Sequence, residues 1–317
     1  MYKKIKYNLN TEVRLDKYLS DHLSNLSRTK IQKLIQLGSV QVDDYIVKSS
    51  YKLKQDQIIT IDIIEVESET KIKAQNIKLN IIYEDEQIIV VNKQSGIIVH
   101  PGVGNKDNTM LNGLMHHCSN LSNISNRPGV IHRLDKETSG VIVFAKTDRA
   151  HYFISEQFAN RQILKEYKAI SWGNLYSNKI IDTCLIRDKK NRLKFKTSDK
   201  GKMSYSTCNP VSNYKIPITE INIYPKTGRT HQIRVHLSSI GHPILNDSLY
   251  NGGEDIINSF HQNYRKNLKK VIKCINRVAL HAFKIEFMHP TLNEMVSFEA
   301  PIPDDFKDAL NLLNEFR

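Results

Sequence analysis

His132-Arg133-Leu134-Asp135-Lys136-Glu137-Thr138-Ser139-Gly140-Val141-Ile142-Val143-Phe144-Ala145 passes from a polar, turn-forming half into an unbroken apolar half. The run 141–145 predicts a strand buried on both faces, because a half-exposed strand alternates apolar and polar residues. Asp135 then lies in a short turn leading into rigid framework. A carboxylate so placed is held still and can face a cleft. An Asp beside a turn more often just accepts backbone hydrogen bonds. What sets this one apart is the adjacent Arg133, the Thr-Ser-Gly step and the turn signal Arg127-Pro128-Gly129 just upstream.

Outward from this string, strand-like and helical segments mix. Residues 81–83 and 88–91 predict strands around the acidic turn Glu84-Asp85-Glu86. Asp148 is the expected cap of a helix reaching about Asn160, with Phe153, Ile154 and Phe158 as its apolar stripe. Residues 163–170 predict an extended segment with Lys165, Tyr167 and Ala169 on one face. Residues 226–237 read Lys-Thr-Gly-Arg-Thr-His-Gln-Ile-Arg-Val-His-Leu. Thr230 is the expected N-cap of a helix whose apolar positions are Ile233, Leu237 and Ile240, ended by Gly241 and Pro243. Arg229 falls at the junction of strand and helix. His231 and His236 are five apart and share no helical face, so no metal centre is expected there. Residues 251–275 hold Gly252-Gly253 and a basic stretch. They read equally as a mobile loop facing a binding partner and as a solvated insertion. Hairpin-like segments outnumber βαβ units, which predicts an α+β fold on a mixed, largely antiparallel sheet.

The N-terminal part reads as a separate unit. Leu15, Tyr18, Leu19 and Leu23 recur at helical spacing. Ser27 is the expected cap of a second helix with Ile31, Leu34 and Ile35 inward, and Gly38 is its stop. That helix also carries Arg28, Lys30 and Lys33. A hairpin follows, with Val40 and Val42, the turn Asp43-Asp44, and residues 45–47 returning. Residues 67–76 are polar and aperiodic and read as a linker, giving expected domains of 11–75 and 76–317.

The chain has 317 residues, 46 Lys and Arg against 33 Asp and Glu, and a net charge of +13. Such an excess favours a polyanionic partner through counterion release. No basic amphipathic helix stands out, which argues against a membrane surface. The four cysteines form no CxxC pair, so neither a zinc knuckle nor a disulfide framework is expected. With no signal-peptide core and no long apolar run, a cytoplasmic protein is expected.

HRLDKETSG resembles the HRLDxxTSG motif of the RluA/RluD family of RNA pseudouridine synthases, whose Asp is catalytic. The likeness continues in family order. Residues 92–102 resemble NKPxGxxVHPG, with Gln94 in place of Pro; residues 165–169 match KxYxA; residues 228–237 match GRTHQIRVHL. Residues 241–247 resemble GHPIxGD, with Asn246 for Gly. The N-terminal unit resembles an S4 domain through Arg14-Leu15-Asp16, Leu19, Ser27-Arg28, Gly38, Val40 and Val42. The resemblance implies a pseudouridine synthase-type α+β domain behind a small S4-like domain, working without cofactor or metal. It implies Asp135 as the catalytic carboxylate, Tyr167 against the target base, and Arg229 forked onto Asp135. Arg234 is the second candidate for that pairing, and otherwise an RNA contact. The implied RNA contacts are Arg133, His132, His100, Arg28, Lys30 and Lys33; Arg133 is expected to fill the stack that an everted uridine leaves. The Val-His-Pro-Gly segment with Asn105 and Leu111-Asn112 looks most like the branch acting on large-subunit (23S) ribosomal RNA, with the chain as a monomer and without a protein partner. Two alternatives stay open: a non-catalytic rRNA-binding or ribosome-assembly factor, and a tRNA-directed synthase of the same fold.

Overall fold

The computed structural model describes residues 2–23, 26, 28–62, 72–102, 104–124 and 127–317. The expected cap Ser27 and the side chains of Arg28 and Lys30 lie outside the described residues. The chain divides into two compact units, Met1–Lys71 and Ile72–Arg317.

The first unit runs β1 (Tyr2–Lys6), β2 (Val13–Arg14), α1 (Leu15–His22), α2 (Arg28–Gln36), β3 (Val40–Val42), β4 (Tyr45–Ile46), β5 (Lys52–Leu53) and β6 (Ile58–Asp62). Its main sheet has the order β1-β6-β3-β4. Leu15, Leu19, Ile31, Leu34 and Ile35 pack with Val40, Val42, Ile59 and Ile61 in one core. The Arg-Leu-Asp step has a physical reason. Asp16 is fully buried, takes two bonds from the Arg14 guanidinium (3.0 Å each), and accepts one from Gln32 on α2 at 2.6 Å. The two helices are thereby tied by one carboxylate. Asp43 and Asp44 turn at φ 51° and 67°, a left-handed pair that suits a two-residue hairpin. The expected start at residue 11 omits β1, which pairs along its whole length with β6.

The second unit runs β7 (Ile81–Glu84), β8 (Ile88–Lys93), α3 (Met110–His117), β9 (Ser139–Ala145), α4 (Asp148–Ala159), β10 (Leu164–Trp172), β11 (Lys179–Arg187), β12 (Phe195–Ser198), β13 (Lys202–Asn213), β14 (Ile218–Pro225), α5 (Gln232–Ser239), two 3-10 turns (Ser248–Tyr250 and Glu254–Ser259), α6 (Gln262–Cys274), β15 (Leu280–Met288), β16 (Met295–Glu299) and α7 (Asp304–Asn314). Among the described residues these form a 10-stranded sheet, ordered β12-β11-β13-β14-β10-β15-β9-β8-β7, with β16 on β15. Every pairing is antiparallel except β15 with β9. As the apolar run predicts, β9 is buried at all seven residues. The linker reading fails at its C-terminal end. Asn112 on α3 donates to Lys73 O and accepts from Gln75 N, so this stretch belongs to the second unit.

The single parallel junction positions the site. Ser139 and Gly140 pair with His281 and Ala282. Gly140 has φ +117°, and a Cβ there would stand 2.1 Å from Ala282 O. Only glycine lets the two backbones approach this closely. The sheet carries two cores, one around β8, β9, α3 and α4, the other around β10, β14 and α5 to α7; Tyr167 packs against both. The basic stretch after Gly253 is a helix, α6, which buries Leu268, Val271 and Ile272 and leaves its lysines outward.

Candidate active site

Asp135 is carried on the turn before β9, and that turn is fastened from beneath. Lys93, at the end of β8, is 1% exposed. Its Nζ donates to Gln94 O (2.9 Å), Lys136 O (3.0 Å) and Thr138 O (2.7 Å). Ser95 Oγ donates to Glu137 O, and Gly96 N to Lys136 O. Thus the Asn-Lys-Gln-Ser-Gly segment is a seat for the Asp135 turn, and Gln94 keeps it with its backbone carbonyl. Burial pushes Lys93 down to about 7, against the charges of Asp135 and Glu137. Three carbonyl acceptors pull the other way, because only the ammonium has three N–H groups to give.

The cation on Asp135 is Arg234, not Arg229. Arg234 Nη1 lies 3.4 Å from Asp135 Oδ2. Its other two nitrogens fork onto Asp247, Nε to Oδ2 at 2.7 Å and Nη2 to Oδ1 at 2.8 Å. Asp247 is fully buried. Burial lowers the pKa of Arg234, but the hydrogen bonds and charge of Asp247 outweigh it and leave it raised. The expected Arg229 pairing is therefore corrected. Arg229 is exposed and donates through Nε to Met203 O (3.1 Å), while still lining the cleft. The reason is the start of α5. The expected cap Thr230 makes no such cap; His231 takes the N-cap position at φ 56°, ψ 18°, and Arg234, one helical turn in, points inward. The expected reading of Arg234 as a surface RNA contact is likewise corrected, since it is 7% exposed. On α4, Thr147 and not Asp148 is the cap, accepting from Ala150 N, while Asp148 accepts from Ser122 Oγ and Asn123 N.

Asp135, Tyr167 and Arg229 line one cleft with Arg133, Lys165 and His231. Its volume is about 430 Å³, within the range of roughly 300–1,000 Å³ that holds small ligands. Tyr167 rises from β10, where a bulge falls between Glu166 and Tyr167 in the pairing with β15. Burial, and then the charge of Asp135, pushes the phenol pKa up, so the ring stays neutral. Lys165 is pushed down to about 8 by burial.

The expected RNA contacts divide. Arg133 is exposed and borders the cleft. His132 lines the cleft but is committed: its Nε2 accepts Val143 N–H at 3.0 Å, its ring lies on Phe158, and burial lowers it to about 3. His100 is corrected. It is 7% exposed, its Nδ1 donates to Pro101 O at 2.8 Å and burial lowers its pKa, so it is a held ring and not a surface contact, though it lines a second opening with Arg133 and Asp135. Lys33 is half-buried on α2. Residues that the sequence reading left out of the site are Lys93, Lys165, His231 and Asp247. A lysine closing the otherwise apolar strand Ile-Ile-Val-Val-Asn-Lys is the signal that was available for the first.

Residues 87–239 match the family model described as RNA pseudouridylate synthase, and residues 13–59 match the S4 domain. Ribosomal large subunit pseudouridine synthase D of Haemophilus influenzae is 36% identical over 95% of this chain and 91% of that protein. The uncharacterized RNA pseudouridine synthase YlyB of Bacillus subtilis is 35% identical over 95% of this chain and 94% of that protein. The solved structure of human RNA pseudouridylate synthase domain containing 1 superposes with a TM-score of 0.54 at 25% identity, covering 71% of this chain and 84% of that one. With a carboxylate, its cation and an aromatic ring meeting in one cleft of the matched region, the chain belongs to the RNA pseudouridylate synthase family, isomerases of uridine in RNA, and carries an S4 domain ahead of the catalytic unit.

Proposed function

We propose that the chain converts uridine to pseudouridine in large-subunit (23S) ribosomal RNA, with Asp135 as the reacting carboxylate. The reaction breaks the N1–C1′ bond, turns the uracil and joins C5 to C1′; the C5 proton leaves and N1 takes one up. No atom is gained or lost overall, so the balance needs no co-substrate. Asp135 acts as an oxygen nucleophile on the sugar or ring, or as a base toward a sugar proton. Tyr167 offers its ring face to the everted uracil. Eversion costs roughly a few kcal/mol of stacking, which phosphate contacts from the net charge of +13 offset. Arg133, exposed at the cleft, fills the vacated stack. The RNA class is carried over from the large-subunit synthases that match 95% of this chain.

The observation that carries the reading is the placement of Asp135 in a cleft with Tyr167, its carboxylate held by Arg234 and its turn seated on Lys93. The chain is proposed to work in the cytoplasm as a monomer; among the described residues no helix is long and apolar enough to cross a membrane. Incubating purified protein with separate rRNA and tRNA pools, then mapping pseudouridine chemically, tests it. New pseudouridine in large-subunit rRNA is expected. Modification confined to tRNA overturns the substrate, and none in either pool leaves the binding-factor alternative.

A further inference from the structure

His231 stands at the cleft in the left-handed region, φ 56° and ψ 18°, immediately before α5. Glycine or asparagine adopts that conformation more readily. Strain of this kind at a cleft points to a side chain that is used. The ring it places there has a defined orientation. Phe195 N–H donates to the Tyr250 phenol oxygen at 2.9 Å, and that oxygen lies 2.8 Å from His231 Nδ1. With Phe195 N–H on one lone pair of that oxygen, the phenol hydrogen is free to point at Nδ1, the arrangement in which Nδ1 accepts it. The imidazole then carries its proton on Nε2, 3.9 Å from Oδ2 of Asp135. Arg234 Nη1 addresses the same oxygen at 3.4 Å. Two donors therefore converge on Oδ2, and Oδ1 is the oxygen left to the uridine.

We infer that His231 is a positioning residue for Asp135: its Nε2–H, fixed by the Phe195–Tyr250 chain, pins Oδ2 as a neutral donor while Oδ1 reacts. The inference rests on the proposed role of Asp135. At 3.9 Å the contact is about 1 Å longer than a hydrogen bond, a gap that catalytic contacts close when substrate seats. A neutral donor orients the carboxylate without neutralising it, as a second full cation beside Arg234 would. The groups facing the ring agree. Burial lowers the His231 pKa in opposition to Asp135, with Arg234 and Arg133 lowering and Asp247 raising it further. Burial raises that of Tyr250, which keeps the phenol a donor.

Steady-state pseudouridine formation by His231→Phe, His231→Gln and Tyr250→Phe tests this. His231→Phe is expected to lower kcat roughly 10- to 100-fold, as a carboxylate misplaced by about 1 Å does, with KM for RNA little changed. His231→Gln, whose amide N–H reaches the Nε2 position, recovers most of the loss. Tyr250→Phe removes the hydrogen bond that fixes the tautomer, so part of the rings present an unprotonated Nε2 to Asp135 and kcat falls several-fold, with KM for RNA little changed. Wild-type kcat in His231→Phe, no rescue by Gln, or wild-type kcat in Tyr250→Phe overturns the inference. A readout independent of activity is the imidazole nitrogen NMR spectrum of the full chain. The Nε2–H tautomer is expected in wild type and a mixture of the two neutral tautomers in Tyr250→Phe. An Nδ1–H or charged wild-type ring overturns the inference even if the protein proves inactive on RNA, and the expected tautomer in an inactive protein locates the failure in the proposed function instead.

Discussion

Replacing Lys93 with methionine separates stability from rate. The side chain has nearly the same volume, so no large cavity opens. Three bonds from the ammonium to Gln94, Lys136 and Thr138 carbonyls are lost. At about 1.5–3 kcal/mol for a bond to a charged group, they amount to roughly 5–9 kcal/mol. Against this stands the burial of the charge. The push from 10.5 to about 7 corresponds to about 5 kcal/mol. The two nearly cancel, as they often do when a buried charge gives way to an apolar group, and Lys93→Met is expected to cost about 2 kcal/mol, at most about 4. The rate behaves differently. The turn bearing Asp135 loses its seat, and an error of about 1 Å in a reacting group costs about 100-fold. Denaturant unfolding followed by Trp172 gives the first number, because the single tryptophan is fully buried in the catalytic unit. Pseudouridine formation gives the second. Loss of more than about 5 kcal/mol, or retention of full rate, refutes the reasoning.

Three further outcomes are expected. Burial lowers His132 to about 3 and His236 and His281 to about 4. The unfolded chain, with histidines near 6.5, binds more protons, so this stability is complete above pH 6.5 and is lost as pH falls toward 4, by about 2–3 kcal/mol per ring at pH 4.5; a slope between pH 7.5 and 4.5 unchanged by His281→Gln contradicts it. Gly140→Ala, whose Cβ would meet Ala282 O at 2.1 Å, is expected to destabilise by more than about 4 kcal/mol; a wild-type melting temperature counts against the close approach. Arg234→Lys keeps a charge for Asp247 but has no second nitrogen for Asp135, and is expected to lower kcat by about 100-fold, more than Arg229→Ala does; the reverse order restores the Arg229 pairing.

The buried strand and its flanking turn were legible because each is local, an apolar run and a turn signal; Asp135 and Tyr167 came from the family resemblance, and the structure brings both to one cleft. The identity of the cation was not legible. Arg229 and Arg234 differ by five residues, and which one reaches Asp135 depends on His231 taking a left-handed step that spacing does not reveal. Asp247 was opaque for the same reason, since its partner is a side chain on another element. β1 has lysine at three of its five residues, and its partner strand lies more than fifty residues away, so nothing in its own pattern marks it as sheet. α6 carried a local signal, yet the reading of 251–275 as a loop or a solvated insertion missed it, and with it the basic amphipathic helix that was not expected. Leu268, Val271 and Ile272 fall at i, i+3 and i+4, and the surrounding lysines masked an ordinary amphipathic helix.

The most direct test of the account compares Asp135→Asn with wild type on a large-subunit rRNA transcript. Asparagine keeps the shape and the reach to Arg234 but has no carboxylate to react. The account predicts RNA affinity close to wild type, measured by filter binding, with no pseudouridine formed after prolonged incubation. Pseudouridine formed by Asp135→Asn at a rate near that of wild type would contradict it.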